Sequence, residues 1–325
     1  MATGEQLKAL LRSYRDHDQD RFLAVAMQVA AHAARRGHGN LAKELRELVD
    51  ALKAGTDQRS DSLPTPIPVV RPTGELAGLL DVQYPKTRPA EMVLSEAVRG
   101  RLSRVMNEQR QRYKLVDYGL LPRRKLLLVG PPGTGKTMSA AALAGELGLP
   151  LFTILLHGLI TKFLGETAAK LHLVFNAMKN ARGVYFFDEF DAIGGHRETH
   201  NDIAEIRRTL NSFLQFIEQD QSESLIVAAT NNKGLLDRAL FRRFDDVIEY
   251  ELPTPELASE LIRSRLAIFR LAGISWDKVK QASQGLSQAD VVAACDDVAK
   301  ALVMSGTSLV KTKQLVTAMG ERANM

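Results

Sequence analysis

The sequence predicts an α/β protein in which a parallel sheet is covered by helices, followed by a purely helical tail and preceded by a small all-α domain. Three observations carry this. Between residues 91 and 253 short apolar runs alternate with helical stretches, the pattern of doubly buried strands joined by crossover helices. Strand-like runs stop after Pro253-Thr254-Pro255. A proline-dense segment sets a leading group of amphipathic helices apart from everything that follows.

The elements follow in order. Leu7, Leu10, Leu11 and Tyr14 recur at helical spacing, and Phe22, Val25, Ala26, Val29 and Ala33 form a second stripe. Gly37-His38-Gly39 interrupts the pattern. Asn40 suits the N-cap of a third helix bearing Leu41, Leu45, Leu48 and Leu52, which Gly55 would end. Residues 1–58 are therefore expected as a helical N-terminal domain. Pro64, Pro66, Pro68 and Pro72 hold the chain extended, so a linker is expected over 59–90.

Residues 91–253 are expected as an α/β subdomain. It opens with a helix over 91–116, and its strand runs are Lys125–Val129, Leu151–Leu156, Val184–Phe187, Leu225–Ala229 and Val247–Leu252. Residues 254–325 are expected as a helical subdomain with helices over 255–272, 276–284, 287–304 and 311–323. Ser287 and Asp290 stand at the spacing of a capping box.

Composition bounds the chemistry. A length of 325 residues suits about two domains. An apolar share of 45% with 25% charged residues excludes wholesale disorder. The single cysteine, Cys295, excludes an intrachain disulfide and a cysteine-rich zinc site. The net charge of +5 is small for this length. The basic residues are scattered and no helix-turn-helix emerges, which argues against nucleic acid as the partner. No signal-type leader opens the chain and no run of 18 apolar residues exists. No membrane span is expected, and the expected setting is soluble, reducing and cytoplasmic.

The strongest motif is Gly130, Pro131, Pro132, Gly133, Thr134, Gly135, Lys136 and Thr137, placed between a strand run and a helix that continues through Met138. This is a phosphate-binding P-loop in its expected context. Its glycines let backbone N–H groups curl around phosphates, and the helix N-terminus adds partial positive charge. Lys136 brings a point charge to the β- and γ-phosphates, and the Thr137 hydroxyl can ligate Mg²⁺.

Val184-Tyr185-Phe186-Phe187 then runs into Asp188-Glu189-Phe190-Asp191. A carboxylate at the end of a buried strand is costly unless it meets a cation. Asp188 would hold Mg²⁺, and Glu189 would polarise the attacking water as general base. Asn231, after the run Leu225–Ala229, could orient that water or touch the γ-phosphate. Arg242 and Arg243, before Phe244 and Asp245, could project a guanidinium into a neighbouring subunit's nucleotide.

Taken together, Gly130–Thr137, Phe186–Asp191, Ala229–Asn231 and Arg243–Asp245 resemble the motifs of AAA ATPases in order and spacing. The resemblance covers roughly residues 80–325 and implies a P-loop NTPase sheet with a helical lid. It implies Walker A at Gly130–Thr137, Walker B at Asp188 and Glu189, and sensor 1 at Asn231. The trans-acting arginine finger falls on Arg243, with Arg242 competing. Asp117-Tyr118-Gly119-Leu120 is similar to the segment that packs on adenine, which places Gly119 and Leu120 at the base. Gly285-Leu286-Ser287-Gln288-Ala289-Asp290 is similar to the lid segment bordering the nucleotide. Phe163, Leu164 and Gly165, within Lys162–Glu166, resemble the first pore loop of protein-remodelling members, where an aromatic ring grips an extended chain.

The chain departs from the family in two places. The finger region is two residues shorter, with Asp246 in place of a second arginine. The segment Glu218-Gln219-Asp220-Gln221 stands where remodellers often carry Asp-Gly-Phe. Residues 30–48 are similar to the front of small bacterial AAA ATPases encoded beside subtilisin-like serine peptidases.

The resemblance therefore implies an Mg²⁺-dependent ATPase assembling as a homo-oligomeric ring, a hexamer, which remodels, unfolds or translocates a protein, with a subtilisin-like peptidase as the implied partner. The N-terminal helices would recruit that partner or the substrate. A second reading is an ATP-gated module that switches a partner enzyme without threading anything. A third is DNA-associated work, against which the scattered basic residues stand.

Overall fold

A computed structural model describes residues 72–159, 166–189, 200–231 and 241–323, together with a few positions among the first fifty. The chain divides into two compact units, Met1–Ile67 and Pro68–Met325. In the first, the described positions Val25, Ala26, Val29, Glu47 and Leu48 are all helical. The remainder of the expected helical domain lies outside the described residues.

The second unit holds a six-stranded sheet. Its strands are β1 (Leu80–Gln83), β2 (Lys125–Val129), β3 (Leu151–Ile154), β4 (Val184–Phe187), β5 (Leu225–Thr230) and β6 (Asp246–Glu249), in the spatial order β1-β3-β4-β5-β2-β6. Only β1 runs antiparallel to its neighbour. The strands sit within a few residues of the apolar runs; β2, β4 and β5 are buried on both faces, whereas β6 at the edge buries only Ile248. Every residue of β4 is fully buried; Val184 and Phe186 enter the core on one face of the sheet, Tyr185 and Phe187 the core on the other.

Strand β1 corrects the expected linker. A 3₁₀ turn at Gly74–Gly78 and β1 fall within 59–90, yet they belong to the sheet unit. Leu79 and Leu80 are buried there, and β1 adds four residues to the edge of the sheet beside β3. Four residues are too few to register as a strand period between prolines.

Helices α1 (Glu96–Arg110) and α2 (Arg112–Asp117) precede β2, and α3 (Lys136–Leu147) follows it. Two further helices, α4 (Leu156–Leu159) and α5 (Glu166–Asn180), lie between β3 and β4, and α6 (His200–Gln219) lies before β5. After β2 the chain crosses to β3, steps back through β4 and β5, then passes β2 to lay down β6. The crevice at the carboxyl ends of β2, β4 and β5 is thus a topological switch point, the usual place for a ligand in such sheets.

The helical tail comprises α7 (Pro255–Arg265), α8 (Trp276–Ala282), α9 (Gln288–Met304) and α10 (Thr312–Ala323) around their own core, including Ile262, Val279, Val291, Leu302 and Met319. The capping box at α9 is formed: Asp290 N–H donates to Ser287 Oγ (3.2 Å) and Ser287 N–H to Asp290 Oδ2 (3.0 Å). Cys295 is buried in this core, and burial pushes its thiol up to about 12, so it packs as an inert apolar group. Among the described residues no helix is long and apolar enough to cross a membrane.

Candidate active site

The site begins where β2 ends. Gly130 N–H donates to the Thr230 carbonyl across 3.2 Å, which ties the end of β2 to the end of β5 and so sets Asn231 beside the loop. A Cβ at Gly130 would lie 2.2 Å from the Tyr250 carbonyl oxygen. Gly133 has φ +73, and a Cβ there would fall 2.5 Å from Ser287 Oγ of the helical tail. The loop therefore passes two walls that leave no room for a side chain at Gly130 or at Gly133. Thr134 Oγ1 donates to the Pro131 carbonyl (2.8 Å) and closes the turn.

Lys136 opens α3 and is buried. Its Nζ donates to the carbonyls of Gly130 (2.8 Å) and Pro131 (2.7 Å). These contacts hold the ammonium beneath the loop, where it meets the phosphate region. Thr137 Oγ1 donates to Asp188 Oδ2 across 3.0 Å, and Asp188 Oδ1 accepts from the Glu189 N–H at 2.9 Å. Glu189 has φ +49, the only non-glycine positive φ among the described residues. A glutamate in that region is strained, and the strain turns the residue after Asp188 out of line with its strand.

These residues share one cleft of about 750 Å³. Its floor runs from Pro132 to Met138, with Asp188, Glu189 and the exposed Asn231 beside it. Gly130 and Pro131 lie behind this lining, as the acceptors for Lys136. The helical tail closes one side with Leu261, Ser264 and Arg265 of α7 and with Gln288, Ala289 and Val292 of α9. Arg265 Nε and its η2 nitrogen grip Asp296 at 2.7 and 2.9 Å; this pairing raises the guanidinium pKa and holds the Asp296 carboxyl below its usual range.

The donor set fits the expected ligands. A loop stripped of side chains at Gly130 and Gly133, with a buried lysine and a helix N-terminus, is chemistry for phosphate. A hydroxyl and a carboxylate 3.0 Å apart supply the hard oxygen ligands that Mg²⁺ prefers.

Gly119 and Leu120 do not join this cleft. Gly119, at φ +71, ends α2, with its N–H on the Val116 carbonyl (2.9 Å) and the Leu120 N–H on the Leu115 carbonyl (2.9 Å); Leu120 is exposed. The glycine there serves a helix C-terminus. The third wall is instead Glu91, Met92, Val93 and Leu94, just before α1. No glycine or charge pattern marks that segment, so only the placement of α1 brings it to the cleft.

Arg242 and Arg243 are exposed at the other end of the strands. Asp245 Oδ2 accepts from the N–H groups of Arg124 (2.8 Å) and Lys125 (2.9 Å), which ties this segment to the start of β2. Arg243 forms an ion pair with Glu218, and Phe244 is buried. Asp246 pairs with Arg101 of α1 at 2.6 Å, so it serves the chain's own packing. Phe163, Leu164 and Gly165 lie outside the described residues.

Comparison with known proteins agrees with this geometry. Residues 126–252 match the model of the ATPase family associated with various cellular activities (AAA). The chain is 34% identical to an uncharacterized AAA family ATPase, y4kL, of Sinorhizobium fredii, over 99% of this chain and 96% of that protein. It is 35% identical to a proteasome-activating nucleotidase of Sulfurisphaera tokodaii, over 62% of this chain and 54% of that one. It is 32% identical to an ATP-dependent zinc metalloprotease FtsH of Acidothermus cellulolyticus, over 71% of this chain and 36% of that one. The chain thus spans about half or less of the latter two proteins.

Proposed function

The chain belongs to the AAA family of ATPases and hydrolyses ATP, and from that premise we propose that it works as a ring of identical subunits, a hexamer, whose ATP sites lie between neighbours and whose turnover remodels a protein. One observation carries this reading. Asp245 fastens Arg242 and Arg243 to the start of β2, whereas Lys136 follows its end. Five residues of strand separate the two ends by roughly 17 Å, so these arginines stand at the far end of the strands from the cleft of their own chain. A head-to-tail interface that closes on itself would bring each pair to the next subunit's cleft.

In this scheme the loop N–H groups and Lys136 bind and orient the phosphates. Thr137 and Asp188 would hold Mg²⁺, which when bound neutralises charge on the phosphate oxygens. Glu189 accepts a proton from the attacking water at its carboxylate, and Asn231 orients that water. Arg243, with Arg242 beside it, stabilises the charge that develops on the transferred group. The relatives named for proteasome activation and for ATP-dependent proteolysis support a protein as the substrate and a peptidase as the partner. The N-terminal segment 1–58 is the recruiting element in this reading, and Phe163 is the residue that grips the chain.

The test is complementation by mixing. Glu189→Gln and Arg243→Ala proteins should each be inactive. Mixed and reassembled, they should recover about a quarter of wild-type turnover, because one interface in four pairs an intact cleft with an intact arginine. No recovery at any ratio, with rings demonstrably mixed, would refute a shared site.

A second reading has its own support. Asp220, within the segment that departs from the remodellers, is buried against Arg124 of its own chain. A relay segment so committed to its own fold favours an ATP-gated switch of a partner enzyme. ATPase turnover that stays flat when unfolded protein is added, with ATP-dependent partner binding, would decide for it.

A further inference from the structure

Among the described residues, Gln288 Oε1 is the one buried side-chain polar atom without a hydrogen-bond partner. Natural folds rarely leave such an acceptor unmet, and where they do the missing partner is commonly a ligand or water. Gln288 is the first residue of α9 and borders the same cleft as Lys136, Thr137 and Asp188. Its position relative to the phosphate loop is fixed, because the next residue, Ala289, donates its N–H to the Gly133 carbonyl across 3.0 Å.

The surroundings say which part of a nucleotide the amide would meet. The phosphate end of the cleft is defined by Lys136, Thr137 and Asp188. The other walls are largely apolar, with Met92, Val93 and Leu94 beside Glu91 on one side and Leu261 and Val292 beside Ser264 on the other. Two apolar walls suit the faces of a flat base. Arg265, the charged group on the lid side, is taken up by its bidentate pair with Asp296. Of the neutral polar side chains on the lid side, Ser264 and Gln288, it is Gln288 that carries the unmet acceptor.

Resting on the reading of this cleft as an ATP site, we propose that Gln288 reads the 6-amino group of adenine and sets the preference for ATP over 6-oxo purine nucleotides. The unmet atom is an acceptor, so its partner is a donor. Adenine offers an N–H donor at position 6, where hypoxanthine and guanine carry an acceptor oxygen; glutamine and adenine form a well-matched pair through this edge. The oxygen is closed off as it stands, so contact with the base requires the amide to turn about its last torsion toward the cleft, on a backbone that Ser287, Asp290 and the Ala289–Gly133 bond hold in place.

Equilibrium binding of fluorescent analogues of ATP, of inosine triphosphate and of 2′-deoxy-ATP to the full chain tests this. The wild-type chain should prefer ATP over inosine triphosphate by about tenfold or more, and Gln288→Ala and Gln288→Leu should reduce that preference to within about twofold. The 2′-deoxy analogue should follow ATP in all three proteins. Lys136→Ala should lose every nucleotide alike, which separates loss of the phosphate site from loss of base reading. A preference for ATP that survives both Gln288 variants would overturn the proposal. So would a change confined to the 2′-deoxy analogue, which would move the contact to the ribose. A wild-type chain that binds none of the three would overturn the ATP site and this inference together.

Discussion

The hydroxyl of Tyr250 donates to Ser139 Oγ across 2.7 Å, and Ser139 Oγ passes a hydrogen bond to the Gly135 carbonyl at 2.9 Å. The backbone oxygen of Tyr250 also fills the space beside Gly130. One residue beyond β6 therefore braces both ends of the phosphate loop, from a strand that contributes nothing to the cleft lining.

This brace has a pH signature. Burial raises the Tyr250 hydroxyl from 10.0 to about 12, with the Ser139 bond opposing. The folded state favours the neutral phenol, so its contribution is complete below pH 10 and lost as pH rises through about 12. At about 1.4 kcal/mol per unit, two units correspond to about 3 kcal/mol. Tyr250→Phe should be about 1 kcal/mol less stable at pH 8 for want of the hydrogen bond. It should overtake the wild type near pH ~11, where the phenol's advantage is being lost. Denaturant unfolding across this range is the measurement, and parallel curves for the two proteins would contradict the brace.

Glu189 gives a second prediction, because its backbone and its side chain pull in opposite directions. At φ +49, asparagine or glycine is more comfortable than glutamate. Glu189→Asn should lose no stability and could gain up to about 1 kcal/mol, while turnover falls by about 10²–10⁴. Nucleotide binding should persist in both Glu189→Asn and Glu189→Gln. A variant that hydrolyses ATP normally would remove Glu189 as the base. A destabilised Glu189→Asn protein would show that the conformation carries no strain.

Gly133 is the third. Its alanine variant would drive a methyl group toward Ser287 Oγ and toward Ala289 Cβ, 2.5 and 3.1 Å away, at φ +73. Relief requires the helical tail to move off the loop. Gly133→Ala should cost about 1–3 kcal/mol and weaken nucleotide binding without altering the cores of either subdomain. Unchanged nucleotide affinity would mean that the tail does not belong to the site.

How far the sequence discloses all this depends on whether a feature is local. Strand β4 and the loop before Lys136 were legible because burial on both faces and phosphate binding each leave a contiguous signature. The capping box at Ser287 was legible for the same reason. The wall at Glu91–Leu94 was not, since nothing in those four residues distinguishes them until α1 and the sheet bring them to the cleft. Gly119 misled because a glycine needed for a helix C-terminus looks the same, in one dimension, as a glycine needed for a ligand. Gln288 lay within a segment marked by resemblance, yet its importance rests on an unmet acceptor that only three-dimensional packing reveals.

The arginines supply the last prediction, because two ion pairs of similar appearance have different surroundings. Arg124 pairs with Asp220, whose side chain is 1% exposed; Arg243 pairs with Glu218, and those side chains are 41% and 54% exposed. Removing Arg124 strands a buried carboxylate that also orders Ser222 through its N–H and hydroxyl. Arg124→Ala should therefore cost about 3–5 kcal/mol. The exposed pair is screened by water, and Arg243→Ala or Glu218→Ala should change stability by about 1 kcal/mol or less. If Arg243 acts on a neighbour's nucleotide, its alanine variant should nevertheless lose about 10³-fold in turnover while folding normally. Glu218→Ala keeps the guanidinium and should keep turnover, so the pair of variants separates a catalytic arginine from a merely structural salt bridge. Turnover lost equally in both would place the importance in the pair itself, and turnover kept in both would pass the role to Arg242.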